Sequence, residues 1–329
     1  MKRPNKPIFL RLYDGVLQKG DLKTMMSIII PSYNEEENIE NTAKVIGGIM
    51  EENNIECEMI FVDDGSRDRT WEIIESLSRK NRSVRGLKFS RNFGKEGAIF
   101  AGLKHCKGDC AVVIDCDLQH PPKLMVEMHS LWKQGWQVVE AVKASRGKES
   151  PIYGFFAKTF YGMMKSSSNI DMNGASDYKL MDRQVIDALN DLPERITFYR
   201  ALSSWVGFKT TKIEFNVAPR NAGVSKWNFP KLFKFALSNL TSFTNMPLQL
   251  VTVFGFIFLL ASVAMGIISI VRACLGIPQN GIIPIMLFSS SLIMLALGAI
   301  GYYLSKIYEE IKGRPRYIVS IDTDEKNER

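Results

Sequence analysis

The sequence predicts an α/β domain with a mostly parallel sheet, followed by two membrane-spanning helices. Three observations lead there. Between Met25 and Val142 short apolar runs alternate with amphipathic stretches, the pattern of repeated β-α units. No Asp or Glu occurs between Glu214 and Glu309, and that interval holds two uncharged segments, 248–271 and 281–304. Each exceeds the ~20 apolar residues that cross a bilayer core. Finally, the apolar runs of the first part end in polar, acidic or glycine-bearing edges, as at the ligand-binding rim of a parallel sheet.

Five strands are expected, at 25–30 (MMSIII), 57–62 (CEMIFV), 84–90 (VRGLKFS), 110–115 (CAVVID) and 137–144 (QVVEAVKA). Helices are expected between them at 35–53, 69–81, 95–106 and 122–135, where apolar residues recur at helical spacing. Beyond Ser145 the pattern is less regular, and the segment up to TTKIEFNVAPR is expected to complete the sheet and build a second side of the site. Phe229, Leu232, Phe233 and Ala236 share one helical face beside Lys231 and Lys234, which suits a helix at 228–247 lying in a membrane interface. The expected organisation is therefore an N-terminal extension (1–24), the α/β domain (25–227), the interfacial helix, the two spans (248–305) and a C-terminal tail (306–329).

Charge sets the orientation. Arg220, Lys226, Lys231 and Lys234 precede the spans, and Lys306, Lys312, Arg314 and Arg316 follow them, whereas the link carries only Arg272. The positive-inside rule then puts both flanks, the α/β domain and both termini in the cytoplasm of a multi-pass cell-membrane protein. The 329 residues carry a formal charge of +7, largely beside the spans, so anionic lipid explains it better than nucleic acid. The N-terminal apolar pieces are too short and interrupted for a signal peptide. Five cysteines suit a reducing compartment. His105, Cys106, Cys110, Cys116 and His120 could be drawn as a zinc set, but they fall in or beside expected strands, and core packing is the expectation.

Four strand edges carry the chemistry: PSYNEEE (31–37), DDGSRDRT (63–70), SRNFGKEGA (90–98) and DCDLQHPP (115–122). Neighbouring carboxylates at a strand end repel and lose hydration, which a divalent cation offsets. If the strand persisted, Asp115 and Asp117 would share a face, with Gln119 continuing the series. An all-oxygen set suits Mg²⁺ or Mn²⁺. A solvated strand end, with an Asx turn running into Pro121 and Pro122, accounts for the same residues. No phosphate-binding glycine loop of the G-x-x-x-x-G-K-[ST] or G-x-G-x-x-G type is present.

IIIPSYNEEENI, VDDGSRDRT, RNFGKEGAIFAGL, DCDLQHPP, SDYKLMDR and RNAGVSKW, followed by two spans and IYEEIKGRPRYIV, resemble family 2 glycosyltransferases of the polyprenyl-phosphate branch. The resemblance implies a GT-A fold, and the absence of a Gln-x-x-Arg-Trp motif implies one sugar transferred per cycle. It implies nucleotide contacts at Pro31, Tyr33, Glu35, Asp63, Asp64 and Asp115, and metal ligation by Asp115, Asp117 and Gln119. Asp117, Asp177, Arg220 and Lys226 match positions that act on the reacting groups, while Arg146 and Ser225 match positions near the acceptor phosphate. The implied partners are a nucleotide-diphosphate sugar (a UDP-linked hexose such as glucose or N-acetylglucosamine), a polyprenyl phosphate such as undecaprenyl phosphate, the membrane, and further copies of the chain as a homo-oligomer.

The implied reaction is an inverting, metal-dependent transfer. A phosphate monoester has a second pKa of about 6 and needs little deprotonation near neutrality, so Asp177 is expected to orient the acceptor, and its loss to matter less at raised pH. A transferase acting on a hydroxyl lipid such as diacylglycerol would need a true base. A non-catalytic scaffold or sugar-nucleotide sensor is the alternative outside enzymes.

Overall fold

The computed structural model describes residues 24–143, 176–194, 198–215, 246–276 and 282–324. Arg146, Arg220, Ser225, Lys226, the N-terminal extension up to residue 23 and residues 228–245 of the expected interfacial helix lie outside the described residues. The chain divides into two compact units. One contains the sheet, and the other contains two long apolar helices.

The first unit starts with β1 (Met25–Ser32), α1 (Ile39–Glu52), β2 (Glu56–Asp63), α2 (Thr70–Lys80), β3 (Val84–Phe89), α3 (Lys95–His105), β4 (Cys110–Val113), α4 (Leu124–Lys133) and β5 (Val138–Lys143). It continues with β6 (Lys179–Asp182), α5 (Arg183–Asp191), α6 (Tyr199–Trp205) and β7 (Thr210–Phe215), and it closes with β8 (Val319–Asp322). The eight strands run in the order β7-β5-β6-β4-β1-β2-β3-β8. β4, β1, β2 and β3 are mutually parallel, as β-α units demand.

β1 sits at the centre, and Ile28, Ile29 and Ile30 are wholly buried, because helices cover both faces of a parallel sheet. α1 buries Ile39, Thr42, Ala43, Ile46, Ile49 and Met50, a stripe at helical spacing. α3 is buried nearly all round from Gly97 to Leu103, and it approaches the sheet so closely that a Cβ on Gly102 would collide with Ile29.

Two features of the sheet go beyond the sequence reading. First, β4 and β5 are not neighbours. β6 inserts between them, antiparallel to both, and β7 then pairs parallel with β5. The insertion brings the SDYKL segment beside the DCD segment. Second, the expected C-terminal tail returns to the sheet at Val319–Asp322. β8 pairs antiparallel with β3, and Arg85 is clamped to Asp322 at 3.0 and 2.5 Å. Phe89 stacks on Tyr317, with ring centroids 5.3 Å apart.

In the second unit, α7 (Met246–Cys274) and α8 (Ile282–Ile311) are both long and apolar enough to cross a membrane, and none of either apolar stretch is buried within the chain. α7 already begins at Met246, inside the segment expected as an interfacial helix. The two helices touch through Phe258 and Phe288, 4.9 Å between ring centroids.

Candidate active site

The carboxyl ends of β1 and β2 lie level, with Ser32 opposite Asp63, whereas β4 stops earlier, with Val113 opposite Ile29, and its loop continues towards them. The loops beyond them are tied together by side-chain to backbone hydrogen bonds. Glu35 N–H donates to Thr70 Oγ1 at 2.8 Å, and Arg67 N–H donates to Asn34 Oδ1 at 3.0 Å. Buried Asp64 accepts from the backbone N–H groups of Phe93 (2.6 Å) and Gly94 (2.9 Å), which holds the β3–α3 loop against the β2 loop. Gly65 completes this junction. Its φ is +68°, and a Cβ there would lie 2.6 Å from the Arg91 carbonyl carbon, so only glycine fits.

These loops frame a cleft of about 330 Å³ lined by Pro31, Tyr33, Glu35, Asp64, Lys95, Asp115 and Asp117. Burial first, then the nearby Asp117 and Asp115 charges, push the Glu35 carboxyl above its ordinary range. Lys95 offsets this acidity. Its Nζ lies 2.6 Å from Asp115 Oδ1 and 2.9 Å from Asp177 Oδ2. Arg200 grips the same Asp177 carboxylate in a fork, Nε at 2.7 Å from Oδ1 and Nη2 at 3.0 Å from Oδ2.

Burial alone would raise Asp177, but Lys95 and Arg200 together hold it well below the usual carboxylate range. Burial alone would likewise lower Lys95, and Asp115 and Asp177 hold it above the usual lysine range. Next to them Glu96 accepts from Tyr199 N–H at 2.8 Å. Burial, and then Asp177, push its carboxyl up to about 7.

The structure gathers the expected residues unevenly. Pro31, Tyr33, Glu35, Asp64, Asp115 and Asp117 line one cleft. Asp63 does not line it and is fully buried, with Oδ2 lacking a hydrogen-bond partner among the described residues, while Oδ1 accepts from Ser66 N–H. The shared-face argument for Asp115, Asp117 and Gln119 is corrected, because β4 ends at Val113. Asp117 Oδ1 instead accepts from Gln119 N–H at 3.1 Å, and Leu118 has a φ of +51°. The Asx turn thus coexists with an acidic pair in which Asp117 is exposed and Asp115 half-buried.

Among the described residues no three His, Cys, Asp or Glu side chains stand close enough to hold a metal ion. Two carboxylates still fit Mg²⁺ or Mn²⁺, which typically take one or two protein carboxylates and complete their shell with water and substrate phosphates. The five residues of the imagined zinc set are dispersed. Cys106, Cys110 and Cys116 are buried, His105 Nδ1 lies 2.9 Å from the Ala101 carbonyl oxygen, and His120 packs on Tyr178.

Residues 27–189 match the family Glycosyl transferase family 2. An uncharacterized glycosyltransferase of Synechocystis is 38% identical over 300 residues, covering 90% of this chain and 94% of its own. The chain belongs to glycosyl transferase family 2. Another relative, the SfII prophage-derived bactoprenol glucosyl transferase of Shigella flexneri, is 36% identical, covering 89% of this chain and 97% of its own. A crystal structure of glucosyl-3-phosphoglycerate synthase from Mycobacterium tuberculosis with Mn²⁺ and UDP-glucose is similar with a TM-score of 0.47 and 17% identity, over 85% of this chain and 87% of that one.

The protein is therefore a glycosyltransferase, and its α/β fold is GT-A-like, as the resemblance implied. Sequence reasoning on this family 2 chain passed over Lys95, Glu96 and Arg200. Lys95 and Glu96 stood inside the RNFGKEGA edge without a role, and their charged types at a helix start were the available signal. Arg200 lies on a helix away from any strand edge, and nothing local marked it.

Proposed function

We propose that this glycosyltransferase moves one hexose from a nucleotide-diphosphate sugar to a polyprenyl phosphate at the cytoplasmic membrane face, with inversion. One observation carries the choice of acceptor: Asp177 is engaged by two cations. A hydroxyl lipid needs a base to take its proton, and a carboxylate held far below its usual range is a poor one. A phosphate needs no base. The raised carboxyls do not fill the gap, since Glu35 accepts from Asn38 Nδ2 on the β1–α1 loop, Asp64 accepts from Phe93 N–H and Gly94 N–H, and neither buried Asp63 nor Glu96 lines the cleft. The relatives named bactoprenol glucosyl transferase support the same acceptor class.

In the proposed step a phosphate oxygen attacks the anomeric carbon and forms the new C–O bond. The bond to the diphosphate breaks, and its electron pair leaves with the nucleoside diphosphate, so no proton moves. Attack from the face opposite the leaving group turns an α-linked donor into a β-linked product. A divalent cation held by Asp115 and Asp117 would neutralise the departing diphosphate. Tyr33, 40% exposed at the rim, offers a ring face to a base. The backbone ties through Asp64 keep the loops from shifting as charge develops.

The membrane setting has its own support. The chain leaves the sheet unit before α7 and rejoins it at β8. If both helices span, they form a hairpin whose two ends lie on one side of the bilayer, which suits an acceptor whose phosphate stays at the bilayer surface. The test is a thermal-shift panel of nucleotide sugars with Mg²⁺ or Mn²⁺, followed by transfer to undecaprenyl phosphate and to diacylglycerol, with the anomeric configuration read by NMR. Transfer to diacylglycerol alone, or a retained configuration, would overturn the reading.

A further inference from the structure

We propose that Lys95 and Arg200, both fixed on the Asp177 carboxylate, form a two-cation cradle for the acceptor phosphate. This rests on the polyprenyl-phosphate reading above and deepens it by naming the groups that hold the headgroup. The first argument is exposure. The Lys95 and Arg200 side chains are 41% and 37% exposed, whereas Asp177 is 9% exposed. The carboxylate thus lies underneath and the cations face outward, so an approaching anion meets positive charge first.

Spacing is the second argument. Lys95 Nζ and Arg200 Nη2 both reach Asp177 Oδ2, at 2.9 and 3.0 Å, so the two nitrogens are close enough for one phosphate to meet both with different oxygens. An ammonium has three donors, of which Asp115 and Asp177 engage two, and the guanidinium, whose Nε–Nη2 edge holds Asp177, has a second edge of Nη1 and Nη2 with the spacing of two phosphate oxygens.

Placement is the third. Lys95 lines the cleft and also touches Asp115, one of the two carboxylates assigned to the donor side. A phosphate gripped by Lys95 and Arg200 is therefore presented beside the bond that breaks. Asp177 serves as the positioning residue. It fixes two flexible cationic side chains before the substrate arrives, which lowers the ordering cost of binding. The fork from Arg200 requires α6 to be in place, and Glu96 secures the start of α6 through Tyr199 N–H.

The test uses the full-length chain in nanodiscs with the nucleotide sugar that the wild type turns over. Arg200→Gln should raise the KM for undecaprenyl phosphate by about tenfold or more, the factor for one charge-assisted hydrogen bond, and leave the KM for the nucleotide sugar within about twofold. Arg200→Lys should recover part of the loss. An equal rise in both KM values, or a fall in kcat alone, would overturn the cradle.

Should Arg200→Gln fail to fold because Asp177 loses its fork, the double variant Asp177→Asn/Arg200→Gln removes both charges together and is read for the same split. Equilibrium binding separates the two ideas. Wild type should bind citronellyl phosphate more tightly than citronellol, and Arg200→Gln should cut that preference by about tenfold. If the preference holds but no sugar reaches undecaprenyl phosphate, the acceptor reading falls and the cradle stands. If wild type transfers to undecaprenyl phosphate but neither substitution changes phosphate binding, the cradle falls and the reading stands.

Discussion

Asp117 and Asp177 carry the same functional group in opposite surroundings. Asp117 is exposed at the cleft, with one oxygen accepting from Gln119 N–H, whereas Asp177 is buried against Lys95 and Arg200. Asp117→Asn is expected to lower kcat/KM about 100-fold or more, because it removes charge that would hold the cation on the leaving group. Asp177→Asn is expected to lose activity by the same factor from pH 6 to pH 9, since the native carboxylate stays ionised throughout. This revises the expectation of recovery at raised pH, and a pH profile of kcat/KM checks it.

Stability follows the same logic at this scale. A carboxyl held low stabilises the fold above its unfolded pKa, and that contribution fades as the pH falls towards the folded value. Asp177→Asn should therefore cost about 2 kcal/mol at neutral pH, discounted for the part-exposed partners, and less below pH ~4. Glu96 has the opposite sign. With its carboxyl raised to about 7, the native state binds the extra proton, and stability declines as the pH rises from about 4.5 to 7. Glu96→Gln should be near neutral at pH 5 and stabilising at pH 8.5, read as Tm against pH.

At the scale of elements, the sheet holds because helices and strands meet without spare volume. Gly102→Ala pushes a methyl group from α3 into Ile29 on β1 and should cost about 1–3 kcal/mol, the usual penalty for overpacking. β8 depends on polar anchors. Arg85 is held by Asp322 and Asp324, and Gly86 N–H donates to Thr323 Oγ1 at 2.9 Å. Asp322→Ala leaves a largely buried guanidinium short of a partner and should lower stability by about 3 kcal/mol in chemical denaturation. The strands β1 to β5 were legible because alternation of apolar runs is a local property. β6 and β8 are four residues each and drew no periodic signal, so their places in the sheet were not.

For the whole molecule, the return of the chain to the sheet at β8 fixes an even number of membrane crossings if α7 and α8 both span. The link after α7 then belongs to the side opposite the two outer ends of the hairpin. Cys274, exposed at the end of α7, is the natural reporter. In sealed right-side-out vesicles a membrane-impermeant maleimide should label Cys274, and a Cys274→Ser variant should stay unlabelled until the vesicles are opened. Labelling of Cys274 only after opening would reverse the orientation.

The sequence by itself determined what neighbouring residues decide: the β-α alternation, the acidic and glycine-bearing strand edges, the two uncharged segments and the acidic pair Asp115 and Asp117. Tertiary structure alone decided which charges meet. Lys95 and Asp177 are 82 positions apart, and Arg85 and Asp322 are 237 apart. Periodicity records which face of an element is buried, but it carries no information about which distant side chain lies across the gap. A carboxylate takes its basicity from that neighbour. Asp177 is thus a plausible base as a letter in SDYKL and, beneath two cations, a fixed anion that positions them.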